Sequence, residues 1–168
     1  MSIGEQLAAE LEQEAKTTRR LLERVPEASF GWKPHEKSMS LGQLAGHVAQ
    51  LPTLIVPAFT EDEFDFAVSG WKPFSPQSTA ELLEKFDRNI AAAAEQLKSQ
   101  PDERMGDLWK LRSGDHVLFE MPRAMVVRFV GLNHVIHHRG QLSVYLRLLD
   151  VPLPSIYGPS ADEAPPGR

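Results

Sequence analysis

The chain has 168 residues, with 18 Lys plus Arg against 23 Asp plus Glu, a formal charge of −5, and no cysteine. That length suits one domain, 1–168, with a sizeable core; the acidic balance argues against a nucleic-acid partner, which needs a basic face; and the missing cysteines exclude disulfides, thiolate metal ligands and a cysteine nucleophile. No run approaches the ~18 apolar residues of a membrane helix, and Met1-Ser2-Ile3-Gly4-Glu5 does not open a signal peptide, so a cytoplasmic protein without a membrane partner is expected.

The first predicted helix runs from about Ile3 to Arg24. Leu7, Leu11, Ala15, Thr18, Leu22 and Val25 recur every three or four residues and make one apolar stripe, which Pro26 stops. Phe30 to Lys37 reads as a loop with aromatic anchors. Ser40 with Gln43 has the spacing of a capping box, so helix two starts there and carries Leu41, Leu44, Ala45, Val48 and Leu51 inward. Pro52 kinks or ends it, because proline has no N–H to donate.

A long acidic and aromatic loop is expected from about Pro57 to Pro76. Its Asp62, Glu63 and Asp65 could hold a hard cation, but the plainer reading is a solvated loop. Ser78 with Glu81 reads as a second capping box opening helix three, whose inward residues are Leu82, Leu83, Phe86, Ile90, Ala93, Ala94 and Leu97, and Pro101 marks its end. The stretch Leu108-Trp109-Lys110-Leu111, Arg112-Ser113-Gly114-Asp115, His116-Val117-Leu118-Phe119 predicts a small hairpin or a structured loop. Pro122 suits the first turn of helix four, which runs to about Leu149. The tail from Pro152 to Arg168 holds five of the thirteen prolines and is expected to be extended on the surface. The fold class is therefore all-α: a four-helix bundle with a long loop between helices two and three and a short irregular or hairpin insertion before helix four. Periodicity leaves the connection order open, since the long loop also suits a crossover.

Three of the six histidines fall within Asn133-His134-Val135-Ile136-His137-His138-Arg139-Gly140-Gln141. His134 and His138 are one helical turn apart and share a face, so two neutral imidazoles there can grip one transition metal. His137 points about 100° away from His138 on an ideal helix and is assigned to the outer sphere, an interface or the surface. His47 stands mid-helix between Leu44 and Leu51, where a buried imidazole needs a partner; facing helices of a bundle place inward side chains at one level. The pattern predicts a metal centre of His47, His134 and His138. The competing reading makes these ordinary core histidines, hydrogen-bonded without a metal. Gln141 continues the same face and could hold an imidazole N–H, and Tyr145 extends the row, although a core or interface role suits that tyrosine better. His35 and His116 fall in predicted loops. The motif is not H-E-x-x-H, because Val135 follows His134, which argues against a zinc peptidase. Gly140 costs a helix about 1 kcal/mol, and a close crossing within the chain or with a second copy would account for it.

Three stretches together resemble the DinB-like superfamily of metal-binding four-helix bundles, which includes the YfiT-like hydrolases. They are Trp32-Lys33-Pro34 with Ser38 to His47; Asn133 to Leu142, of which His137 to Leu142 is the most specific piece; and Tyr145-Leu146-Arg147 with Val151-Pro152 and Ile156 to Ser160. The resemblance covers nearly the whole chain. It implies a metal triad at His47, His134 and His138, nickel or zinc as the metal, and a homodimer. Some relatives are thiol-dependent transferases or isomerases using bacillithiol, mycothiol or glutathione. Imidazole ligands alone also admit iron or manganese. The resulting expectation is a divalent-metal protein with an open coordination position acting as a thiol S-transferase, with a low-molecular-weight thiol as its cofactor. A metal-dependent hydrolase and a non-enzymatic, dimeric metal- or ligand-binding module are the alternatives.

Overall fold

Serine caps start three of the four long helices in the computed structural model, which describes residues 1–164. In α1 (Ile3–Leu22) the Ser2 hydroxyl accepts the Glu5 N–H while the Glu5 carboxylate accepts the Ser2 N–H. Ser40 and Gln43 make the same reciprocal pair at the start of α2 (Leu41–Gln50). Ser78 caps α3 (Thr79–Lys98), but the Glu81 carboxylate reaches back to the Gln77 N–H at 2.7 Å, so the expected second box is only half formed. The last long helix, α4 (His134–Leu148), follows Pro122, a short turn Arg123–Val126 and a π-helical stretch Val127–Asn133.

The class is not purely α. Three short strands form one sheet in the order β1-β2-β3: β1 (Glu63–Asp65) lies parallel to β2 (Leu108–Ser113), and β2 is antiparallel to β3 (His116–Pro122). The hairpin turns at Gly114, whose φ of 58° falls in the left-handed region where glycine has no Cβ penalty. The acidic run is taken up here. Arg112 bonds Glu63 at 2.6 Å and Asp65 at 2.8 Å, and Asp65 also accepts the Ala67 and Gly114 N–H groups. Those backbone bonds are the main reason its carboxyl sits below the ordinary range. Asp62 is fully exposed. The run is a clip that ties the long loop to the hairpin.

The core has two parts. One gathers Leu7, Leu11, Ala94, Leu97, Ile55, Phe59 and Val127 under the sheet residues Trp109 and Leu111. The other gathers Leu22, Leu44, Val48, Leu82, Phe86, Val135, Leu142 and Leu146. Thus α1, α2 and α3 each bury the stripe that their periodicity announces, with Ala15, Leu83 and Ile90 only half-buried. Pro52 cannot donate, and beyond Gln50 helix α2 tightens into a 3-10 stretch, Leu51–Ile55. The Ala49 carbonyl is met there by buried Asn89 of α3, whose Nδ2–H donates to it at 2.8 Å.

The tail is irregular but tied down. Glu163 accepts the Ser155 N–H and pairs with Arg20, while Tyr157 donates its hydroxyl proton to Glu14 at 2.8 Å. Residues 165–168 of the expected tail lie outside the described residues. Asn89→Leu keeps the bulk and removes the donor to Ala49; the expected loss is about 1–3 kcal/mol, measured as a lower urea midpoint at unchanged m-value.

Candidate metal centre

His47 lies on the last full turn of α2, on the flank of the buried row Leu44, Ala45, Val48. His134 opens α4 and His138 follows one turn later. The rings of His47 and His138 lie 4.6 Å apart, His47 and His134 5.2 Å, and His134 and His138 4.7 Å. One nitrogen of each ring falls within 4.8 Å of the other two, and among the described residues no Asp or Glu joins the group. The His138 Nδ1 lies 2.7 Å from the Gln141 Oε1. A carbonyl oxygen only accepts, so Nδ1 carries the proton and Nε2 is left as a donor to a cation. This is the outer-sphere arrangement that fixes a ligand's tautomer and ring orientation.

Electrostatics suit the same role. Burial, with repulsion from the neighbouring rings, pushes the His47 imidazole down to about 4, and burial with the His138 and His137 charges does the same to His134. His138 is lowered by burial too, partly offset by its bond to Gln141. All three rings are therefore neutral at pH 7, the form that binds a transition metal. Three imidazoles on two helices fit a divalent ion and leave part of a four-coordinate shell open.

The other predicted residues separate. His137 is exposed and lies edge-on to His138 with ring centres 4.8 Å apart. Tyr145 does not reach the triad: its hydroxyl donates to the Met39 carbonyl at 3.3 Å and its ring meets Trp32 edge-on at 5.7 Å. It braces the loop that leads into α2. His35 accepts the Lys37 N–H, and His116 is exposed at the hairpin turn. Gly140 is exposed with nothing within 4 Å of where a Cβ would stand, so no crossing inside the chain explains it.

Two spaces border the triad. A cavity of about 290 Å³ beside His47 is walled by Met39, Gln43, Gln50, Pro73, Phe74 and Ser75. A groove of about 320 Å³ on the other side is formed by Phe129, Asn133, His134 and His137. Gln50 and the 72–75 segment escape a reading of periodicity. The Gln50 side chain accepts the Phe74 N–H and donates to the Lys72 carbonyl, both at 2.9 Å, and so holds the wall like a missing strand. Gly46 makes room for it, since a Cβ there would overlap the Phe74 carbonyl oxygen. Glycines at 42 and 46, one turn apart inside a helix, are the sequence signal that something lies close against α2.

The sequence model of the DinB family matches residues 1–167. The chain belongs to the DinB family. An uncharacterised relative, YrdA of Bacillus subtilis (strain 168), is 26% identical over 158 residues, covering 89% of this chain and 85% of YrdA. Among solved structures, a DinB-like protein from Bacillus cereus ATCC 10987 superposes with a TM-score of 0.66 at 21% identity, over 87% of this chain and 92% of its own. The DinB-like YjoA of Bacillus subtilis does so with a TM-score of 0.69 at 20% identity, over 89% and 96%. These likenesses place the helices and the small sheet together in the DinB fold.

Because the folded histidines resist protonation, the unfolded chain binds more protons between about pH 6.5, the unperturbed imidazole value, and about 4. Stability of the metal-free protein is therefore undiminished above pH 7 and falls as the pH drops through that window. Thermal melts of metal-free protein between pH 7.5 and 4.5 check this: the wild-type midpoint should fall more steeply than that of His47→Gln.

Proposed function

We propose that this DinB-family protein is a divalent-metal enzyme that joins a low-molecular-weight thiol to an electrophilic carbon, with His47, His134 and His138 as the metal ligands. One observation supports this reading above others. The three-nitrogen centre borders a cavity whose walls offer apolar and amide groups and no carboxylate. A general base beside a metal-bound water commonly assists hydrolysis, and these walls offer none, whereas a metal-bound thiolate attacks without one. A divalent metal bound to the three rings supplies Lewis acidity, which stabilises a thiolate at neutral pH. Nickel or zinc suits three imidazoles, and iron or manganese is the next choice.

The residues of the chain do the rest. Gln141 orients His138, so one donor direction is set before any ligand arrives. Met39, Pro73 and Phe74 give one side of the centre an apolar wall, and Gln43 and Gln50 offer amide groups at its edge. In the reaction the thiol proton leaves to solvent, the sulfur pair forms the new C–S bond, and the leaving group departs with the electron pair of the bond it loses.

Hydrolysis is the second reading, and one feature favours it. His137 lies against His138 and lines the groove with His134, where it could serve as the base.

The assembly proposed is a homodimer. Met125, Phe129, His137, Gly140, Val144 and Leu148 form an exposed, largely apolar stripe down the last helix. A second copy would bury it and use the open surface at Gly140 for close approach. In light-scattering chromatography the wild type should run at twice the chain mass, and Phe129→Glu with Val144→Glu should return it to one.

Untagged protein should carry close to one metal per chain by elemental analysis; less than about a tenth, with no thermal shift on adding nickel or zinc, refutes the centre. Replacing His47, His134 or His138 by alanine should abolish uptake, His137→Ala should not, and Gln141→Leu should weaken it about 10- to 100-fold. Metal-loaded protein should transfer a thiol from a panel of small thiols to an activated halide faster than free metal does. Cleavage of an ester panel with no thiol transfer would instead establish the hydrolase.

A further inference from the structure

The last helical segment changes register immediately before the histidines. From its start the buried residues are Arg123, Val126, Val127 and Val130, the spacing of one α-helical face. An uninterrupted α-helix, at about 3.6 residues per turn, would carry that face on through 133–134, 137, 141, 144–145 and 148. In the structure Asn133, His137, Gln141, Val144 and Leu148 are exposed instead, and Val135, His138, Arg139, Leu142 and Leu146 are buried. The buried face has moved forward by one residue, about 100° of rotation. The move takes place across Val127–Asn133, where the chain is π-helical and each turn holds an extra residue.

That rotation sorts the rows of α4. Val135, Leu142 and Leu146 take the centre of the core. On one flank Arg139 reaches α1, bonding Glu14 at 2.7 Å and Thr18 at 3.2 Å. On the other flank His134 and His138 meet His47 of α2, and Tyr145 meets the Met39 carbonyl just before α2. Wound as a plain α-helix, the same residues would continue the face of the first half into the row of Asn133, His137 and Gln141, and the apolar row would turn away from the core.

The π-helical stretch also rests on the continuation of α2. A Cβ at Gly131 would stand 2.5 Å from the Cδ1 of Ile55, in the 3-10 stretch that follows His47 on the same helix. Glycine at 131 leaves the room that the Ile55 side chain fills.

We propose that the π-helical stretch Val127–Asn133, seated through Gly131 on Ile55, is the positioning element of the metal centre: it sets the rotation and spacing that aim His134 and His138 at His47. This rests on the three-histidine reading above. None of its residues need touch the ion.

The test is cobalt(II) titration of the full chain, read by the visible absorption of the bound ion and by the fitted affinity, with a thermal melt of each protein. Inserting one alanine after Asn133 adds a residue beyond the one that the stretch absorbs and turns His134 and His138 by about 100° without removing a core side chain. Asn133→Ala is its control and should bind within about threefold of wild type, as a surface change away from a structural feature does. The insertion variant should keep a cooperative melt, change the cobalt spectrum, and lose at least about 100-fold in affinity, the upper cost of disturbing a ligand's orienting partner. A folded insertion variant with the wild-type spectrum and affinity overturns the proposal. If the insertion variant melts without cooperativity, the decision passes to Gly131→Ala. That variant should lose about tenfold, and Gly131→Ala with Ile55→Val, which removes Cδ1, should recover it. Gly131→Ala binding as wild type, or a loss that Ile55→Val leaves untouched, overturns it. A wild-type chain that takes up no cobalt, nickel or zinc fails the centre itself, a result distinct from any of these, and this role falls with it.

Discussion

The packing of α2 against α4 is the contact on which the rest of the molecule depends. Along that seam three imidazoles meet within ring-centre distances of 4.6 to 5.2 Å. Such a meeting is costly for charged rings, because burial and mutual repulsion both oppose protonation. The rings stay neutral, and their nitrogens are left without enough internal partners. Among the described residues Gln141 alone supplies one, to a single nitrogen of His138. Three neutral donors converging from two helices could hold a divalent metal ion.

Much of the surrounding structure keeps that seam tight and oriented. Gly46 and Gly131 have no Cβ where a side chain would push a loop or a helix away. Asn89 meets the Ala49 carbonyl beside the break at Pro52, so the tightened end of α2 can be buried beside the π-helical stretch. On the opposite side of α4, Arg139 is held by Glu14 and Thr18 and covered by the Tyr157 ring, 4.9 Å from the guanidinium carbon. That buried ion pair fixes the rotation of α4 from the α1 side while the histidines define it from the α2 side. The C-terminal segment is thus tied to α1 from the surface, through Tyr157 and Glu163, despite its many prolines.

The helices were legible because their signals are local. A serine three residues before Gln43 and a proline at position 52 are enough to bracket α2, and leucines at three- and four-residue spacing show its buried side. His134 and His138 were legible as a pair for the same reason. The sheet was half legible: the hairpin shows in its apolar runs around Gly114, but the parallel pairing of Glu63–Asp65 with Lys110–Arg112 joins segments 47 residues apart and leaves no periodic trace. The π-helical stretch was illegible as such, since its residues Val127 to Val130 suit an α-helix equally well.

Sequence by itself determined which residues can bind: histidines and no cysteines, two of them one turn apart, a third placed among apolar neighbours, and the three stripes that must be buried. Tertiary structure decided which way those residues point. Rotation of α4 about its own axis, the partner given to each flank, and the wall that Gln50 builds beside His47 all follow from long-range packing. The physical reason is one of range. Caps and periodicity act within a turn or two, whereas a rotation of about 100° per residue accumulates along a helix and is settled only by what the helix meets on each side.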